Sequence, residues 1–142
     1  MDMKRLLTGG IVGAVALFAT GYLIYLVILA DFFASNATND FAREAPIFWS
    51  IILGEVFMGT LIMAACDWSG STGWQACAKT GAIVGLLAWG AINLIMYGAN
   101  DLATMNAHIA DIAVTTVRAG IAGALIGMVV AKGGSSAPAS EY

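Results

Sequence analysis

Apolar residues along this chain do not alternate with polar ones. They run in four blocks, at about 6–30, 46–66, 81–99 and 108–131, separated by connections of about 8 to 15 residues that hold most of the polar positions. A helix needs roughly 17 to 25 such residues to cross about 30 Å of hydrocarbon, whereas a half-buried strand alternates with a period of two. The pattern predicts an all-α membrane protein, a four-transmembrane-helix bundle forming one domain over residues 1–132. The last ten residues, Gly-Gly-Ser-Ser-Ala-Pro-Ala-Ser-Glu-Tyr, carry too little apolar surface to offset their ordering entropy, so 133–142 is predicted to be a flexible tail. Lys4 and Arg5 ahead of the first block, with Ala14-Val15-Ala16 inside it, resemble a secretory signal. Apolar character nevertheless continues to Ala30, past the roughly 7 to 15 residues of a signal core, which predicts a retained span.

Composition strengthens the membrane reading. Of 142 residues, 60% are hydrophobic and 11% charged, against about 45–50% and about 25% in soluble domains. Charge adds an orientation: Lys4, Arg5, Lys79 and Lys132 fall at one side of an even-span chain, while Arg43 lies on the other with Asp31, Asp40, Glu44 and Asp101. Basic residues are retained in the cytoplasm, so both termini are predicted to be cytoplasmic. Phe32, Phe33, Phe48 and Trp49 then lie at the outer interface, and Trp68 and Trp74 at the inner one.

Small residues recur four apart, as Gly9 with Gly13, Gly81 with Gly85, and Ala119 with Gly123 and Gly127. In lipid, helices associate largely through close backbone approach at such faces, so these positions are predicted to be helix-packing seams within the chain, with self-association as the alternative. The segment Thr8-Gly9-Gly10-Ile11-Val12-Gly13 returns 72 positions later as Thr80-Gly81-Ala82-Ile83-Val84-Gly85. This is the signature of a 2+2 parallel internal repeat, or else a coincidence of apolar composition.

Ionisable groups inside the blocks are the candidate chemistry. Counted from the expected span edges, Glu55, Asn93 and Arg118 fall at about 13 to 18 Å of depth, one band near the midplane. An isolated charge there costs about 2.5 to 3.5 kcal/mol or more, so Glu55 is predicted to pair with Arg118. Asp111 is a rival partner, seven residues from Arg118 on the same helix face with Thr115 between them. The first pairing keeps Glu55 ionised, while the second leaves it free to take up a proton. Trp89, Asn93, Tyr97 and Asn100 form a stripe on the third span, and with Tyr22 and Tyr25 they could line an external vestibule. The same residues also fit interfacial anchors and interhelical cross-links.

Other chemistries find little support. Cys66 and Cys77 lack CxxC spacing and His108 belongs at the opposite face, so no metal or redox site and no cofactor is predicted. No GxSxG, HExxH or phosphate-binding loop occurs, which argues against an enzyme, and no basic patch suggests nucleic acid. Asn36-Ala37-Thr38 fits a glycosylation triplet and, equally, a polar turn. The expected partners are the lipid bilayer and other membrane subunits or further copies of the chain. Two functions remain: a structural or accessory subunit, or a small transporter or channel component using Glu55, Asn93 and Arg118 as a solute or proton site. The stretch from Gly81-Ala82-Ile83-Val84-Gly85-Leu86 through Asp111 to Gly127 resembles small four-span bacterial inner-membrane proteins of unknown function. That resemblance implies a bacterial inner-membrane location and supplies no activity.

Overall fold

A computed structural model of the chain describes residues 2–39, 43 and 45–133, with the side chains of 131–133 excepted. The expected tail beyond residue 133, the acids Asp40 and Glu44, and the side chain of Lys132 lie outside the described residues. The described chain is all-helical, in the order α1 (Met3–Leu23), a π-helical turn (Ile24–Ile28), α2 (Ala30–Asn36), α3 (Phe48–Trp68), α4 (Gly73–Ala99) and α5 (Met105–Gly133). Four stretches, Met3–Ile28, Phe48–Trp68, Gly73–Ala99 and Met105–Val130, are long and apolar enough to cross a membrane.

Local chemistry sets the ends of these helices. Asp2 caps α1 by accepting the Lys4 backbone N–H at 3.1 Å, which satisfies one of the free donors of a helix start. At the end of α3, Gly70 (φ 65°) takes the left-handed conformation. It closes a Schellman turn in which the Gly70 N–H donates to the Asp67 carbonyl and the Ser71 N–H to that of Cys66. A second left-handed glycine, Gly73 (φ 78°), starts α4. The connection between α3 and α4 is therefore only residues 69–72, and α4 begins eight residues before the expected edge at Gly81. Lys79 consequently stands on the helix and not in a loop. Between the first two long helices, where the sequence suggests only a connection, the chain forms α2. The polar run after it acts as a clasp: Thr104 donates to Asn36 at 2.6 Å and Thr38 to the Asp101 carbonyl at 2.7 Å.

α5 packs along most of α4 and also against α1, which in turn packs on α3; contacts between α3 and either α4 or α5 are slighter. Glycine permits the close approaches. A Cβ on Gly81 would strike the Ala119 carbonyl oxygen, and one on Gly13 would lie 2.9 Å from the Gly59 Cα. Gly123 and Gly127 abut the backbone of Cys77 and Gly73, Gly85 abuts Ala119 and Thr115, and Gly9 is covered by Met63. These glycines lie against neighbouring helices of the same chain. Around them lies a core that includes Leu17, Ile62, Met63, Ala119, Ala122 and Ile126. The first third of α3, Phe48 to Gly54, is exposed on every side, and the buried positions of the helix start at Met58. Glu55 stands directly after this open stretch.

Candidate functional site

Polar side chains that the apolar pattern would leave isolated gather on one face of α5. His108, Asp111, Thr115 and Arg118 recur at intervals of three, four and three, which keeps them on one face of a 3.6-residue helix. His108, Thr115 and Arg118 are buried, as is Asn93 on α4. Together they form a column at two levels.

The deeper level is centred on Arg118, whose side chain is 6% exposed against 18% for Glu55. Its Nη2 donates to Glu55 Oε1 at 2.5 Å and to the Leu17 carbonyl oxygen at 2.6 Å. One nitrogen thereby ties α5 to both α3 and α1. Space for the guanidinium comes from Gly21, where a Cβ would lie 2.5 Å from Nη2. The Tyr25 ring lies under the charge, its centroid 5.3 Å from Cζ, a cation–π arrangement. Arg118 Nε is buried without a partner among the described residues.

The second level lies about 10 Å along α5, seven residues toward its start. Here Tyr25, carried in the π-helical turn, donates its hydroxyl to Asp111 Oδ1 and lies 3.2 Å from the Thr115 hydroxyl. π turns often mark functional positions, because the wider turn redirects a side chain. Asn93 Nδ2 donates to Asp111 Oδ2 at 2.9 Å and to the Trp89 carbonyl at 3.1 Å. With its amide nitrogen so engaged, Asn93 presents Oδ1 to His108 Nδ1, 2.7 Å away. Facing an amide oxygen, His108 Nδ1 is the donor of this contact, and the other ring nitrogen is Nε2. That atom is buried without a partner among the described residues, and the Tyr97 ring packs edge-on against the imidazole.

Arg118 thus reaches Glu55, and neutral donors occupy Asp111. The depth count groups Asn93 with Glu55 and Arg118, whereas its side chain bonds to Asp111 and His108. The difference arises from helix length, since the depth count runs from Gly81 and α4 starts at Gly73. His108, which the sequence reading sets aside as a residue of the opposite face, is part of the cluster. Its signal was its place in the 108, 111, 115, 118 stripe.

The residues expected around a vestibule do not line one space. Tyr22 and Tyr25 border a cleft of about 220 Å³ beside α1 and α3 that reaches Glu55 and Arg118. Trp89 borders a separate crevice of about 370 Å³ between α3 and α4, which Glu55 also meets. Tyr97 packs on His108, and Asn100 is exposed, its amide donating to the Met96 carbonyl at 3.4 Å. The chain matches no protein-family model, no curated protein and no solved structure.

Proposed function

We propose that the chain is a multi-pass protein of the bacterial inner membrane with both termini cytoplasmic, and that it serves as a helix-packing accessory subunit of a membrane assembly or homo-oligomer. The observation that carries this reading is the Arg118 guanidinium, which holds the Leu17 carbonyl and the Glu55 carboxylate at once. A buried charge so engaged acts as a register lock between helices, the best-attested use of a polar group in an apolar interior. The rest of the column fits the same role. Asp111 is satisfied by Tyr25 and Asn93, and the Asn93 amide separating it from His108 is a poor relay for protons. The open first third of α3, and Gly54, Gly90 and Gly98, which face nothing within 4 Å, offer surfaces on which other helices can pack. The pairing of α1 with α3 and of α4 with α5, each across a glycine seam, suits an ancestral duplication. The orientation rests on Lys4, Arg5 and Lys79 gathering at one end of the bundle and Arg43 at the other.

A second reading, a solute or proton site, is favoured by the cleft through which Glu55 and Arg118 are reached between Tyr22 and Tyr25. Purification of the native protein in mild detergent, with mass measurement, separates the two. The accessory role predicts a stoichiometric partner or a defined oligomer. A lone monomer that carries solute or protons across liposomes, with flux lost in Glu55→Gln, would establish the second reading instead.

A further inference from the structure

At the opposite end of the bundle from α2, the Schellman turn and the two left-handed glycines fold α4 back on α3 within four residues. This brings together Cys66 and Cys77, eleven positions apart in sequence. Both thiols are free and buried. The Cys66 thiol lies 3.9 Å from the Cys77 carbonyl oxygen, and that of Cys77 lies 3.6 Å from the Ser71 carbonyl oxygen. Both residues line a cavity of about 370 Å³ that is also lined by Met63 and by Arg5. Met63 packs with its thioether across Gly9 and also borders this cavity, and a thioether on an unbranched side chain is adaptable in position. Three sulfur side chains therefore border one space, with a single cation at its edge.

We propose that Cys66, Cys77 and Met63 form a binding site for a soft monovalent metal ion, Cu(I). Thiolate and thioether ligands select Cu(I), whereas Zn(II) asks for four donors from Cys, His, Asp or Glu. Among the described residues no three such donors gather anywhere, and Asp67, the nearest acid, is held by Arg5 at 3.2 Å. Binding is balanced as follows: each thiol gives up its proton to solvent, two S–Cu bonds form, and the Cu(I) bis-thiolate carries one negative charge. Arg5 at the cavity edge is shared with Asp67 and offsets that charge in part. No change of oxidation state is involved. Under the orientation proposed above, this end faces the reducing compartment, where thiols persist.

The test is anaerobic Cu(I) titration of the purified full-length protein in detergent against a chromophoric Cu(I) chelator. One equivalent per chain is expected. Cys66→Ser and Cys77→Ser should each abolish it, and Met63→Leu should weaken it roughly tenfold, the lower end of what disturbing a metal site costs. Because two protons leave, apparent affinity should rise by about 100-fold per pH unit while the thiols remain protonated. Helical circular dichroism and elution volume identify variants that fail to fold, and X-ray absorption of the loaded wild-type protein tests the site without substitution. An all-sulfur shell is expected. Failure of the wild-type protein to hold Cu(I) against the chelator, retention unchanged in folded cysteine variants, or a nitrogen and oxygen shell would each overturn the proposal.

Discussion

Arg118 illustrates how one residue can be expensive and indispensable. The guanidinium is buried, and its removal leaves Glu55 with a charge and no base, a loss of about 3 to 5 kcal/mol for buried pairs broken on one side. Gly21 is the silent partner of this arrangement, because its missing Cβ is the room that Nη2 occupies. Gly21→Ala is expected to cost roughly 1 to 3 kcal/mol of stability in detergent unfolding, the range for overpacked interiors, despite the better helix propensity of alanine. A neutral or stabilised variant would show that the guanidinium is not confined there. One level away, Asn93 bridges two groups with a single amide. Asn93→Ala strands Asp111 Oδ2 and the His108 Nδ1 proton, each worth about 1 to 3 kcal/mol when buried and unsatisfied. The expected readouts are a lower unfolding midpoint and an imidazole NMR resonance displaced from its wild-type position.

At the scale of helices, glycines divide into two kinds that the sequence does not distinguish. Gly81 and Gly123 lie against the backbone of a neighbouring helix, whereas Gly54, Gly90 and Gly98 meet nothing within 4 Å. Gly81→Ala should therefore destabilise the α4–α5 pair by roughly 1 to 3 kcal/mol. Gly90→Ala should be neutral, or stabilise by up to about 1 kcal/mol through helix propensity. Thermal unfolding of the two variants side by side checks the contrast, and equal effects would refute it. The four long helices were legible because length and apolar run suffice to reveal them. α2, the short turn at 69–72 and the π turn were not. A seven-residue helix and a widened turn leave no periodic trace of their own, and Gly70 and Gly73 show their left-handed role only once both flanking helices are placed. The early start of α4 followed from the same omission, and with it the wrong level for Asn93.

For the molecule as a whole, the proposed orientation rests on the distribution of basic residues. Asn39→Cys, beside the clasp near α2, should react with a membrane-impermeant thiol reagent on intact cells, while Gln75→Cys, at the other end on α4, should react only after permeabilisation. The native thiols are buried and serve as background. The reverse labelling would invert the proposed topology. The candidate site was half legible at this scale: Glu55 and Arg118 stood out as charges in apolar runs. The bond to the Leu17 carbonyl, the place of Tyr25 and the entry of His108 depend on how α1 and α4 lie against α5, which spacing within one helix does not encode.

The central claim is that Arg118 and Glu55 act as one lock between helices. A double-mutant cycle tests it most directly, with Arg118→Gln, Glu55→Gln and the combined variant compared by equilibrium unfolding in detergent. The account predicts that each single change destabilises, that the double variant recovers much of the loss, and that the coupling is about 2 kcal/mol, within the roughly 0.5 to 3 kcal/mol typical of residues in contact. Additive losses, with coupling near zero, would contradict it.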